Sequence, residues 1–214
     1  MLNINPWTKI WTSPKETIQA IISYRPSYRL GLMCIIYGFV WCLSSAQSFY
    51  LGDVYSLLAI VLGSLVLAAP IGYVILSLTA VFFWIAGRLF KGSAPYHHVR
   101  AAVAWSNVPV AVTLLIWLIL IGLQGNDLFA FPAALSGQFS MIDILATIQS
   151  AMGIWSVVIL VGMIAQVQRF SHWKAFATLV IMACIWSAIL FGLVYLMMLF
   201  PSVLNLINSN LRIG

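Results

Sequence analysis

Few side chains in this chain could do chemistry, and most of them fall in one stretch, residues 96–110, which read YHHVRAAVAWSNVPV. His97 and His98, with His172 further on, are the candidate metal ligands. Adjacent residues on a helix point about 100° apart, and neither cysteine nor carboxylate accompanies these imidazoles, as a zinc site would want. Near anionic headgroups they read instead as interfacial polar residues, and no metal or cofactor is expected. The sequence holds no HExxH, no GxSxG, no Walker loop and no Rossmann glycine fingerprint, so nothing marks an enzyme. Coupled transport needs ionisable groups at membrane depth, and all four acidic residues lie at or beyond the ends of the apolar runs. What remains is a structural chemistry. Pro109 cannot donate to the carbonyl of Trp105, so Ser106, Asn107 or a neighbouring helix must satisfy it. A kink or hinge follows, with a candidate cavity edge at Trp105, Ser106, Asn107 and Pro109, rimmed by Arg88 and Arg100 and suited to lipid headgroups.

The elements that position these residues are apolar throughout. Of 214 residues 63% are hydrophobic and 7% charged, where a soluble domain carries about 25% charged residues. The fold expected is an all-α membrane protein. Long uncharged runs cover residues 30–52, 54–87, 101–126, 144–168 and 175–211, each long enough for a bilayer core that takes roughly 20 residues. They predict five transmembrane helices near 30–49, 68–88, 103–123, 145–167 and 176–199. Nine of the ten basic residues fall on one side of this arrangement, with Arg212 alone opposite beside Asp53, Asp127 and Asp143. The positive-inside rule then puts the N-terminus in the cytoplasm and the C-terminus outside. The net charge of +6 is thereby assigned to a membrane leaflet and not to nucleic acid.

The second run is too long for one crossing. It predicts a helix from about Asp53 that is kinked near Pro70, with its first part tilted or lying at the outer boundary. Ser64, Ala68 and Gly72 recur every four residues, a small-residue ridge that lets another helix approach closely. Residues 1–28 read as an interfacial amphipathic segment of two short helices, capped at Asn5-Pro6 and Ser13-Pro14, with Ser13 and Glu16 fitting a capping box. Trp7 and Trp11 are the expected interfacial anchors. Residues 29–200 form the five-span domain, and 201–214 a short interfacial tail. Cys34, Cys42 and Cys184 sit inside apolar runs as small core residues.

Taken together, NPWTKIWTSPKETIQAI before the first span, GRLFKGSAPYHHVRAAVAWSNVPVAV between the second and third, and SHWKAFATLVI opening the last resemble the Yip (Ypt-interacting protein) domain family, in particular its compact prokaryotic members. The resemblance covers roughly residues 5–200. It implies five spans and a cytoplasmic N-terminus. Eukaryotic members are Golgi and endoplasmic-reticulum proteins linked to vesicle traffic and Rab GTPases. This sequence lacks their long N-terminal region, and AWSNVPV only approximates their element before the proline, so Rab binding is not carried over. A bacterial inner-membrane location is expected. The functional expectation is a non-enzymatic protein organising membrane lipids or partner membrane proteins, as a homo-oligomer through small-residue faces. The alternative is a channel or facilitator for a small or lipidic substrate, lined by Ser106 and Asn107 and by the helices broken at Pro70 and Pro109.

Overall fold

A computed structural model describes residues 4–131 and 141–211. Every regular element among them is helical: α1 (Pro6–Lys9), α2 (Pro14–Tyr24), α3 (Leu30–Ser48), α4 (Leu57–Leu89), α5 (Tyr96–Ser106), α6 (Val108–Gln124), α7 (Met141–Gln168) and α8 (His172–Leu211). Two single 3-10 turns, Leu51–Asp53 and Gly125–Phe129, join the long helices at the end that carries the acidic residues. Five segments are long and apolar enough to cross a membrane: α3, α4, α5 with α6, α7, and α8 to Leu196. The chain is an integral membrane protein.

The α3–α4 pair explains the overlong second run. A Cβ on Gly38 would meet the Ala68 carbonyl and lie 2.7 Å from the Gly72 nitrogen, and one on Gly72 would meet the Cys34 carbonyl. Only glycine permits backbones this close. These contacts fix an antiparallel register in which Cys34 faces Gly72 and Gly38 faces Ala68. By that register Phe49 stands level with Leu57, and Leu30 with Leu76. Residues 57–76 of α4 therefore run beside α3 for roughly 30 Å, one bilayer core. The remaining residues, 77–89, project about 20 Å past the start of α3. The surplus length lies at the basic end, not at the acidic boundary where the sequence reading put it. Ser56 caps α4, its Oγ accepting from Ala59 N at 3.4 Å. The helix then runs without interruption through Pro70, whose ring is exposed. A proline facing outward strands one carbonyl but leaves the packed face intact.

The N-terminal helices differ most from expectation. Asn5 Oδ1 accepts from Trp7 N at 3.1 Å and Pro6 opens α1, but Ser13 makes no side-chain cap to α2. Glu16 instead stands 4.0 Å from Lys9, so no capping box forms. The apolar faces of both helices are turned into the protein: Ile10, Ile18 and Ile21 are fully buried and belong to the same core as Val99, Trp105, Met163 and Ile164. α2 thus docks on α5 and α7, and Trp7 of α1 reaches Trp105 of α5, so the N-terminal helices pack against the spanning helices. Lipid tails are as apolar as leucine, so moving these isoleucines from lipid to protein gains little. Shape decides the docking, with the Trp105 indole N–H bonded to the Tyr28 carbonyl just after α2.

At the acidic end a second core gathers Leu43, Ala46, Trp117, Leu120 and Phe129. The two 3-10 turns interlock there: Asn126 Nδ2 donates to the Gly52 carbonyl at 2.7 Å, and Phe131 N–H donates to the Asp53 carboxylate at 3.2 Å. α8 continues past Pro201 to Leu211, so the tail expected from residue 201 is not a separate element over 201–211. Arg212 lies outside the described residues.

Candidate functional site

The break in the third span is built from local sequence. Pro109 has no N–H to give Trp105, so the Asn107 N–H turns back to the carbonyls of Ala104 and Trp105 and ends α5. That leaves the Val103 carbonyl, which accepts from Ser106 Oγ at 2.9 Å and Asn107 Nδ2 at 2.7 Å. Both polar side chains are thus spent on mending their own helix. Ser106, Val108 and Pro109 are buried, and neither Ser106 nor Asn107 lines any recess described below. Pro70, on the outward face of α4, joins none of them.

Trp105 is the hub of this region. It is 1% exposed. Its indole N–H donates to the Tyr28 carbonyl at 3.3 Å across 77 residues of chain. Its ring stacks on Tyr28 at 6.0 Å and meets the edge of Trp7 at 5.6 Å. Trp7 and Trp11 therefore face protein rather than serving only as bilayer anchors, and Trp11 Nε1 donates to the Trp7 carbonyl. The two arginines expected at a rim stand apart. Arg88 lies over Trp84 at 5.2 Å, and Arg100 over Tyr96 at 5.6 Å and Tyr73 at 5.9 Å. Aromatic faces hold such cations by roughly 0.5–2 kcal/mol. His97 and His98 meet edge to face at 4.5 Å, with no third metal-ligating side chain near them among the described residues.

The ridge of Ser64, Ala68 and Gly72 is buried, and α3 of the same chain covers it at Ala68 and Gly72. It is not free for a second copy.

Gln168 is a buried polar residue that nothing in the sequence pattern around it singles out. Gln168, 2% exposed, lies between two glycines; its Cδ is 2.8 Å from where a Cβ on either Gly87 or Gly92 would stand. Its Oε1 accepts from Ala94 N at 3.2 Å, while Nε2 has no partner among the described residues. α4 ends just before this cradle in a Schellman turn, with Lys91 at φ 61° and Gly92 N–H donating to the Gly87 carbonyl at 2.9 Å. α7 ends alike, with Arg169 at φ 58° and Phe170 N–H reaching the Ala165 carbonyl at 3.1 Å. The left-handed position usually goes to glycine. The signal in the sequence was the spacing of Gly87 and Gly92 around a short basic loop.

Among the recesses around this framework, three have linings that bear on function. An apolar groove of about 380 Å³ runs between α3 and α4 at the acidic end, lined by Trp41, Phe49, Tyr55, Gly63, Leu67 and Ile71 among others. A polar recess of about 420 Å³ at the basic end lies between α2, the α4–α5 connection and the end of α7. A small pocket of about 180 Å³ between α3, α6 and α7 brings Ser44, Gln47, Thr113 and Gln149 together.

With that geometry in place, comparison with known families is decisive at one level. A family model for the Yip1 domain matches residues 8–196. The chain belongs to the Yip1 domain family. No curated protein and no solved structure matches it. The Yip1 match takes in α2 through α7 whole and α8 as far as residue 196. The docked N-terminal helix α2, the Gln168 cradle and all five membrane-crossing segments are therefore parts of the Yip1 domain itself.

Proposed function

We propose that this Yip1-family membrane protein is non-enzymatic and organises bilayer lipid by holding an acyl chain in the groove between α3 and α4. The groove carries the reading. Its walls are almost wholly apolar, it opens outward past the exposed rings of Trp41, Phe49 and Tyr55, and its volume of about 380 Å³ suits a chain segment. Gly63 forms part of its floor with nothing within 4 Å of where a Cβ would stand. Gly63→Leu therefore fills the groove without disturbing the α3–α4 contact. Native mass spectrometry of the protein extracted with its lipids is expected to show fewer retained lipids for this variant. Equal retention in wild type and Gly63→Leu would refute the reading. The basic end facing the cytoplasm of a bacterial inner membrane is part of the same proposal and is supported by the charge distribution. Association with further membrane proteins or a second copy also belongs to it, but must use faces other than the covered ridge.

A channel or facilitator reading draws its support from the 180 Å³ pocket between α3, α6 and α7, which is lined by the hydroxyls of Ser44 and Thr113, the amide of Gln149 and, from an exposed position, that of Gln47. Such groups are costly in a bilayer unless paired or wet. Liposome flux of a small neutral solute, compared between wild type and Gln149→Leu, tests it; the same basal leak in both removes it.

A further inference from the structure

We propose that the recess at the basic end binds a phosphate group, borne either by a phospholipid headgroup or by a small soluble phosphorylated molecule. The lining is what such a group requires. Arg169 supplies a guanidinium and His98 an imidazole, Gln19 and Gln166 supply amides, and Ser23 and Ser93 supply hydroxyls; no carboxylate lines the recess. All of these side chains carry donors, the Ser23 hydroxyl being already engaged with the Gln19 carbonyl at 2.7 Å, and a guanidinium meets phosphate oxygens in pairs. The side chains come from three separate pieces of chain that converge only in the fold: α2, the α4–α5 connection with the first turn of α5, and the last turn of α7. This is a built concavity, since Ala94 and Val167 form its buried floor. Gln168 pins that floor from behind through its bond to Ala94 N–H.

Two further features agree with an anion there. Pro95, which lines the recess, caps α5, and the next N–H groups, those of Tyr96 and His97, have no partner among the described residues; the first α5 bonds run from His98 and Val99 to the Pro95 carbonyl. Arg169 closes α7 at φ 58°, in the same kind of turn as Lys91 after α4, and this turn sets its side chain at the recess wall. By the α3–α4 register the connection at Ala94 stands level with Trp84, whose indole N–H donates to the Ala94 carbonyl at 3.2 Å. That is beyond the start of α3, where either a headgroup or a soluble ligand can enter.

The full-length protein in nanodiscs of an uncharged glycolipid permits two arms. In one, inorganic phosphate is titrated calorimetrically; in the other, phosphatidylglycerol is doped into the disc and the retained molecules are counted by native mass spectrometry. Saturable binding in the first arm identifies a soluble phosphate ligand, and in the second a headgroup. In whichever arm binds, Arg169→Gln is expected to weaken binding by about tenfold or more, the loss of a charge-assisted hydrogen-bond pair. Arg169→Lys is expected to recover part of it, and Arg88→Gln, at the same end but over Trp84, to leave it unchanged. Absence of saturable binding in both arms overturns the proposal. So does an Arg88→Gln loss equal to that of Arg169→Gln, which means diffuse charge attraction. In the phosphatidylglycerol arm the recess is read as the part of the retention that Arg169→Gln removes. Gly63→Leu is expected to leave that part, and all phosphate binding in the first arm, intact, so the groove and the recess stand or fall separately.

Discussion

The sharpest test of the architecture is a methyl group added at Gly72. In the α3–α4 crossing a Cβ at that position would overlap the Cys34 carbonyl oxygen, with the Cys34 carbonyl carbon at 2.8 Å and Gly38 Cα at 3.0 Å. Non-bonded carbons settle at about 3.5–4.0 Å, so the two helices must part by roughly 0.5–1 Å. A gap of that size forfeits a quarter to a half of each contact it opens, and α3 buries seven residues, Met33 to Ala46, along its length. The obstacle is backbone and cannot rotate away, which places the cost at the upper end of the overpacking range, about 3 kcal/mol. Better helix propensity of alanine returns up to ~1 kcal/mol, leaving a net loss of about 2 kcal/mol. Gly63→Ala, on the same helix with no atom within 4 Å, gains the propensity term alone. Thermal or denaturant unfolding in one detergent should therefore move the two variants in opposite directions, by a difference of about 3 kcal/mol. If Gly72→Ala and Gly63→Ala both stabilise, the register argued from the glycines is wrong, and with it the projection of α4 past α3.

Trp105→Phe keeps most of the ring packing but removes the donor to Tyr28. It should cost about 1 kcal/mol and raise hydrogen exchange over residues 6–28 more than elsewhere, which exchange mass spectrometry reads directly. Gln168→Leu leaves the Ala94 N–H buried without its acceptor and should destabilise by about 1–3 kcal/mol, as judged from the melting temperature. Lys91→Gly relieves a left-handed lysine and is expected to stabilise by roughly 0.5–1 kcal/mol in the same assay. Asn126→Ala removes the bond between the two 3-10 turns and should lower stability by about 0.5–1.5 kcal/mol while loosening protease protection at the acidic end.

The five membrane-crossing segments were legible because uncharged length is a strong signal that needs no partner to interpret. The break at Asn107 was legible for a similar reason: Pro109 removes a donor wherever it sits. The position of the surplus in the second span was not, since a charge-free run has no marker of where lipid ends. Only the pairing of Gly38 with Ala68 and Gly72, which is tertiary, fixes it. The amphipathic pattern of α1 and α2 was read correctly as an apolar face but assigned to lipid, because periodicity cannot tell a bilayer from a neighbouring helix. At Ser106 and Asn107 the polar groups serve a local need that spacing does not reveal: short polar side chains next to a broken turn bond their own backbone first. In the sequence Arg169 and His98 read as topology marker and rim residue. Their convergence with Gln19 and Ser93 depends on contacts spanning about 150 residues and leaves no trace in spacing.

The α3–α4 register also sets an order for assembly. The glycine contact joins consecutive spans, so this hairpin can close once residue 76 has left the ribosome, and contacts local in sequence form fastest. The N-terminal helices have no such early partner. Their seat is made by α5 and by the far end of α7, so the first stretch of the protein to be synthesised must wait for residue 168 before it can settle. During that interval Ile10, Ile18 and Ile21 have only the membrane surface or a chaperone to cover them. The N-terminal segment is thus locked late, with only α8 of the Yip1 domain still to follow, although it is the first to be made.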